Sequence, residues 1–561
     1  MDADDGDLVL AAPQAGRVMG LPRARVVERL GPFSAPGAIS LIAIHAHSVP
    51  DRFPNNVIAE AEGIEPAGLA DREDLRTMPL VTIDPDDARD HDDAVWATPD
   101  DDPANAGGVI AVVAIADVAA YVRPGSALDR EALRRGNSAY FPDRVEPMLP
   151  ERLSNDLCSL KEGVERPCLA VRMVFDRDGS KLSHRFVRGM MRSAAKLTYS
   201  QVQNAIDGKP DDKTGPLLDP ILKPLWRAYD LLKRARERRS PLDLSTREHR
   251  VKIGPDGRVA SITLREQLDS MALIEEFMIQ ANVAAAETLE KRATPFVYRV
   301  HGEPSNEKLE SFAAVMRSVG LSFAKGQVVR AATFNRILAQ AKDGPYAEMI
   351  NEITLRTQAQ AEYTPENIGH FGLNLARYAH FTSPIRRYAD LIVHRALIRA
   401  LRLGKDGLTD VETARLKDIA AEISGHERRA MAAERDANDR YLTAYLSEHI
   451  GAEFKGRVAG VTRFGLFVRL EETGADGIIP IRNLGQEYFR HDEREHALIG
   501  ERTGLTHRLG DRVTVRLREA APLTGGLRFD LVESTAADRA PAAKRGAFPP
   551  RRDKRRGRKS R

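Results

Sequence analysis

Cysteine is nearly absent: Cys158 and Cys168 are the only two in 561 residues. Two thiols make no disulfide framework, and their spacing is not that of a zinc knuckle. A stapled secreted scaffold is therefore excluded, and both thiols are expected to be buried and reduced. Long apolar runs are also missing. None approaches the ~20 residues that cross a bilayer. The first residues, MDADDGDLVL, lack the basic region of a signal peptide, so a cytoplasmic location and no membrane contact are expected. Net charge is +3, close to neutral for this length.

That neutral total hides an uneven distribution. The end reads KRGAFPPRRDKRRGRKSR, and eight of its last eleven residues are Arg or Lys. Such a tail does not fold alone and suits a polyanion, nucleic acid first. A solubilising or ribosome-contacting tail is the alternative. At the other extreme, TIDPDDARDHDD places Asp84, Asp86, Asp87, Asp90, Asp92 and Asp93 within ten positions. Like charges crowded together carry a cost that water or a cation must relieve.

Length suggests roughly two to four domains. Residues 1–65 hold strand-like pieces, DLVLAA, RARVVERLG and ISLIAIHAH. Residues 66–450 mix strands and long helices without the regular repeat of a doubly wound sheet, which predicts an α+β fold. GGVIAVVAIADVAAYV reads as buried strand. DSMALIEEFMIQANVAAAETLEKR, LDPILKPLWRAYDLLKRARERR and RRYADLIVHRALIRALRL read as helices. Residues 451–533 change to short β runs between glycine turns, about five strands, as in a small closed barrel. Residues 534–561 form the basic, disordered tail.

Carboxylates are hard oxygen ligands, and magnesium takes a few of them while keeping several waters. Two such ions can activate water and hold a leaving oxygen on a phosphate. Asp90, Asp92 and Asp93 lie on one short bend, with Asp84 brought in from the preceding strand. Asp86 and Asp87 have the spacing of solvent-facing residues. A solvated acidic loop fits the same pattern. Farther on, SPIRR places Arg386 and Arg387 where an extended segment turns into helix. A guanidinium fork suits phosphate oxygens and offsets charge developing there.

TIDPDDARDHDDAV, the long segment from VAIADVAAYV to LSNDLCSL, LIEEFMIQAN, YRVHGEPS, GHFGL and HFTSPIRRYADLIVHR occur in that order over residues 82–395. Together they resemble the RNB family of exoribonucleases, on its ribonuclease R-like rather than its ribonuclease II-like branch. The resemblance implies magnesium-dependent, processive 3′-to-5′ hydrolysis of single-stranded RNA, with two ions during turnover and release of nucleoside 5′-monophosphates. It implies that Asp84, Asp90 and Asp93 hold the metals. Asp92, also at the metals, would be the most rate-critical residue. Arg386 would contact the phosphate at cleavage, with Arg387 in support. Tyr140 would stack on the 3′-terminal base region, a contact indifferent to base identity. Glu434 would contact the terminal sugar or tune the pocket. The implied partner is RNA, its 3′ end in a catalytic channel, for a monomeric enzyme whose tail reaches the ribosome or degradation machinery. His91 is expected to take no general-base role, and His301, His380 and His394 are expected to be structural or channel residues.

The final barrel resembles an S1 domain, which binds RNA on one open face. Lys455, Arg457 and Arg463 are candidates for the RNA backbone, and Phe464 for a base. Counted along one strand, Phe464 and Phe467 fall on opposite faces, one out and one in. Family members normally carry one or two cold-shock-type barrels before the catalytic region. Residues 1–65 resemble only the tail of the second, so a shortened N-terminus or a misplaced start is expected. An inactive RNA-binding relative and an enzyme that stalls at duplexes are the competing readings.

Overall fold

The computed structural model describes residues 3–535, except 19, 246–247, 265, 324–328, 345 and 494–495. The basic tail lies outside the described residues. The chain divides into two compact units, residues 1–446 with 521–526, and 447–520 with 527–561.

The first unit begins with an antiparallel ribbon of β1 (Asp7–Val18) and β2 (Leu21–Pro32). DLVLAA and RARVVERLG lie within these strands. ISLIAIHAH does not: Ala38–Ala46 is a helix. A short apolar run has no decisive period of its own. Its buried Ser40, Ala43 and Ile44 are spaced as on one helical face, and Ala43 and Ile44 pack with Phe141, Ala433 and Ala437.

The next strands are β3 (Glu73–Asp74), β4 (Val81–Asp84), β5 (Asp93–Pro99), β6 (Val109–Ala116), β7 (Ala139–Tyr140), β8 (Val145–Glu146), β9 (Glu165–Phe175), β10 (Lys181–Arg192) and β11 (Ala195–Thr198). Seven of them form one mixed sheet in the order β11-β4-β5-β6-β9-β10-β3. β11 runs parallel to β4, whereas β5, β6, β9 and β10 pair antiparallel. β6 is buried almost throughout, as its unbroken apolar sequence requires. It ends at Ala116, earlier than the apolar run suggests. The next residue, Asp117, turns to Arg188 at 2.6 Å and Arg72 at 2.8 Å. The long helices that pack around the site's elements include Lys223–Arg239, Asp269–Lys291, Tyr388–Leu401 and Leu416–Ser447. The α+β expectation therefore holds. Cys158 and Cys168 are buried free thiols.

One ion cluster fixes the helix that follows SPIRR. Arg395 is fully buried, 2.8 Å from Asp129 and 2.6 Å from Glu412. It also donates to the Val122 carbonyl oxygen at 2.7 Å. Truncating one member of such a cluster strands the opposite charges in the interior.

The second unit is a closed five-stranded barrel of Glu453–Thr462, Gly465–Leu470, Asp476–Pro480, Gly526–Ser534 and Arg512–Ala521, in that spatial order. A three-stranded sheet, Phe489–Asp492, Ala497–Gly500 and Thr506–Arg508, is inserted between its third and fourth strands in the sequence. Gly465 has φ +150°, and a Cβ there would lie 2.1 Å from the Ile479 carbonyl oxygen, so only glycine fits the turn.

Arg395→Met is expected to cost about 3–5 kcal/mol of folding free energy, read by urea unfolding, because Asp129 and Glu412 lose their shared cation. A loss below about 1 kcal/mol would show that the cluster is not a stability determinant.

Candidate active site

The acidic stretch joins β4 to β5. Asp84 ends β4, Asp93 opens β5, and the bend between them carries Asp90, His91 and Asp92. Neighbouring segments pin this bend. The His91 N–H donates to Ser159 Oγ at 3.0 Å. Leu160 N–H donates to the His91 carbonyl oxygen at 3.0 Å, and Ala116 N–H to that of Asp92 at 2.9 Å. Asp86 and Asp87 are exposed, and Asp87 pairs with Arg250. The solvent-facing assignment of these two is therefore correct.

Asp92 is buried. Its Oδ1 accepts the Ile385 N–H at 2.9 Å, and its Oδ2 lies 3.8 Å from Arg386 Nε. Two segments almost three hundred residues apart in sequence thus meet through one carboxylate. The approach to Arg386 is itself held in place. Asn282, on helix Asp269–Lys291, accepts the Phe381 N–H at 2.7 Å and donates to the Tyr378 hydroxyl at 3.0 Å. Ser383 N–H donates to Asp390 at 2.8 Å, and Ser383 Oγ accepts from Arg386 Nη2 at 3.0 Å. Arg387 spends its fork on Asp390, at 2.8 and 2.9 Å. Arg386 keeps its side chain 42% exposed and is the arginine of the pair available to an anion.

Burial dominates the electrostatics. It pushes the Asp92 carboxyl well above the usual carboxylate range, against the opposing pull of Arg386 and the Ile385 N–H. Burial, together with the neighbouring Asp84 charge, pushes Asp93 up to about 8, again opposed by Arg386. Asp90 is raised by burial as well, with Asp84 adding to the shift. Asp84 takes His91 Nδ1 at 2.7 Å, a partner that explains why the histidine sits inside the cluster. Buried oxygen donors with one nearby guanidinium are chemically suited to a hard divalent cation. Among the described residues, no three His, Cys, Asp or Glu side chains are drawn close enough to enclose an ion. The donor chemistry fits a hard divalent cation, although the side chains are not gathered into a closed ligand set.

Beside Arg386 lies a cavity of about 220 Å³ lined by Gly136, Asn137, Tyr140, Tyr363, Arg387 and Glu434, among others. Tyr140 is 41% exposed. Its N–H donates to Glu434 at 2.7 Å. Burial raises the Glu434 carboxyl, and this N–H partly offsets the rise. Gly136, with φ +76°, leaves no room for a Cβ, which would sit 2.5 Å from His426 Cβ. The sequence reading passed over the cavity residues Asn137, Tyr363 and Glu427. Asn137 and Tyr363 are uncharged and Glu427 sits in an ordinary helical charge run, so only the fold brings them to Arg386. His380, His394 and His301 are each held by a neighbour: they bond Tyr363 hydroxyl at 2.8 Å, Phe381 carbonyl at 2.7 Å and Ala359 carbonyl at 2.9 Å.

In the barrel, Lys455 is exposed, whereas Arg457 lies 3.4 Å from Glu471 and is mostly covered. Arg463 stacks over Phe464 at 4.7 Å. Phe464 is 62% exposed and Phe467 41%, so both aromatics face out. The expected opposition fails because Phe464 sits in the turn before Gly465, where strand alternation does not apply. Leu466, Val468 and Leu470 form the inward set.

The RNB domain family matches residues 72–403, more than half of the chain, and the S1 RNA binding domain family matches residues 448–517. The chain belongs to the RNB family. Ribonuclease R of Escherichia coli (strain K12) is 39% identical over 530 residues, 92% of this chain and 64% of that protein. The chain thus spans less than two thirds of that relative's length. Mycoplasma genitalium RNase R in complex with ribose methylated single-stranded RNA has a similar structure, with TM-score 0.87 and 29% identity. That match covers 91% of this chain and 80% of the other. The same Mycoplasma enzyme in complex with double-stranded RNA matches with TM-score 0.82 and 28% identity, over 94% and 89%. Among the described residues no helix is long and apolar enough to cross a membrane.

A carboxylate whose folded pKa lies above its unfolded value must lose a proton before it can ligate a cation. For Asp93, with a folded value of about 8, that cost is large at pH 6 and small at pH 8. The rise in thermal midpoint on adding Mg²⁺ is therefore expected to grow from pH 6 to pH 8. Asp93→Asn is expected to flatten that growth. An identical pH dependence in the variant would remove Asp93 from the ligand set.

Proposed function

We propose that this chain is a 3′-to-5′ exoribonuclease of the ribonuclease R type. It degrades single-stranded or 3′-tailed RNA processively to nucleoside 5′-monophosphates in RNA turnover. The observation that supports this most strongly is the junction of Asp92 with Ile385 and Arg386 beside a small cavity. The RNA-bound Mycoplasma relatives support RNA as the partner. The working division is a catalytic region over 66–450 and an RNA-binding barrel over 451–533, in a monomer.

In this reading Asp84, Asp90, Asp92 and Asp93 hold magnesium, two ions during turnover. Bound magnesium supplies the Lewis acidity that phosphodiester hydrolysis needs. The exposed fork of Arg386 takes a phosphate oxygen and offsets charge that develops during cleavage. Asp92 has two tasks. Its Oδ1 fixes the Ile385 backbone, and its charge would help hold magnesium at the reacting phosphate. Tyr140 offers a face to a base of any identity. Glu434 holds the Tyr140 backbone and tunes the pocket around the terminal sugar. In the barrel, Phe464 stacks on a base while the exposed Lys455 and Arg463 meet phosphates, and Arg457 does so only by leaving Glu471, contacts that give affinity without sequence choice.

Asp92→Asn keeps an acceptor for the Ile385 N–H and removes a buried charge. The variant is expected to fold with an unchanged or higher thermal midpoint, to bind RNA within about threefold of wild type, and to release mononucleotides at least 100-fold more slowly. Asp92→Ala leaves the Ile385 N–H without a partner and is expected to cost about 1–3 kcal/mol of stability as well. Normal release of 5′-monophosphates by Asp92→Asn would overturn the assignment. Deleting residues 544–561 is expected to weaken RNA binding and flatten its salt dependence, because fewer counterions are displaced. An unchanged salt slope would take the tail out of the RNA interface.

A further inference from the structure

A second cavity, of about 520 Å³, lies away from the arginine turn. Four cationic side chains, Arg72, Arg123, Arg188 and Lys405, line it beside two carboxylates, Asp71 and Asp406. The loop that carries Lys405 and Asp406 follows helix Tyr388–Leu401. Fourteen residues make that helix about 20 Å long, and Arg386 stands before its other end.

Part of the lining is a fixed ion network. Arg188 spends its fork on two carboxylates, Asp117 at 2.6 Å and Asp406 at 2.6 Å. Arg72 brings a second cation to the buried Asp117 at 2.8 Å. Gly404 lies against this network, where a Cβ would overlap Arg188 Nη1 and Asp406 Oδ1. Other donors of the lining are unspent. Arg123 Nη1 lies 2.6 Å from Asp406, yet 55% of that side chain stays exposed. Lys405 is exposed and meets no carboxylate among the described residues. The N–H groups of Gly404, Lys405 and Gly407 likewise find no acceptor among the described residues. Free backbone N–H groups beside cations make an anion-binding concavity.

Charge and volume select the anion. A nucleic-acid strand needs a track of unpaired cations, whereas Arg72 and Arg188 are committed to carboxylates and only Arg123 and Lys405 have charge to spare. A carboxylate offers two oxygens to these donors, and a phosphomonoester three. Inorganic phosphate would leave most of the volume empty, and cavities of this size suit a small organic molecule. Ala70, Pro124 and Leu403 supply apolar lining for its body. We infer that this cavity binds an organic phosphomonoester of about nucleotide size. Its phosphate meets Arg123, Lys405 and the free N–H groups of the loop, and its body rests on Pro124 and Leu403. The site is separate from the one that takes the RNA 3′ end and goes beyond the exoribonuclease reading.

The test is equilibrium dialysis of labelled AMP and labelled ribose 5-phosphate against the full chain in EDTA, with and without a saturating single-stranded RNA oligomer. At least one probe is expected to bind with Kd below about 1 mM, with or without the RNA. Adenosine is expected not to compete, and inorganic phosphate to compete at least about tenfold more weakly than the unlabelled probe. Lys405→Glu is expected to weaken binding of the probe at least about tenfold. Arg123→Gln, which leaves Arg188 on Asp406, takes its place if thermal melting shows Lys405→Glu unfolded, and the same criterion applies. No binding of either probe would overturn the inference, as would a folded variant within about twofold of wild type. Competition by adenosine or inorganic phosphate as strong as by the probe would overturn the ligand class. Displacement by the RNA would overturn the inference too, because the probe would then lie in the channel or the cavity on the path of RNA. Binding and not cleavage is read, so failure here leaves the exoribonuclease reading untouched.

Discussion

The site depends on one buried hydrogen bond, from the Ile385 N–H to Asp92 Oδ1. It joins the bend between β4 and β5 to the turn that presents Arg386. It ties the carboxylates directly to the segment that carries the guanidinium. The bond is costly to arrange, since burial disfavours the Asp92 charge. The fold meets that cost with rigid support on both sides. Ser159, Leu160 and Ala116 hold the acidic bend, while Asn282, Ser383 and Asp390 hold the arginine turn.

Division of labour between the two arginines follows from the same packing. Arg387 is bound in a bidentate pair to the wholly buried Asp390, whose geometry leaves little freedom. Arg386, one residue earlier, emerges beside the cavity. Adjacent residues of one type therefore act differently: one anchors the start of helix Tyr388–Leu401, and the other is free to meet an anion. Arg395, lower in the same helix, anchors its far side to Asp129 and Glu412.

Features with strong local chemistry were legible in the sequence. Six aspartates in ten positions and the SPIRR turn named the two halves of the site, and alternation with glycine turns named the barrel. What sequence reasoning missed depends on partners distant along the chain. ISLIAIHAH has a composition that suits either strand or helix, and contact with Phe141, Ala433 and Ala437 decides for helix. The exposure of both Phe464 and Phe467 turns on where the hairpin bends, which residue counting does not show. The bond from His91 to Asp84 and that from the Ile385 N–H to Asp92 lie inside those two motifs, yet a motif names residues and not their partners. The second becomes visible only when the acidic bend and the arginine turn are set side by side.

The measurement that tests the account most directly is a time course on a 5′-labelled single-stranded RNA, resolved on a denaturing gel, with Mg²⁺ and with EDTA. The account predicts progressive shortening from the 3′ end to a short labelled remnant with Mg²⁺, and intact RNA with EDTA. Intact RNA in both lanes, with binding retained, would contradict it and leave an RNA-binding protein on an RNB fold.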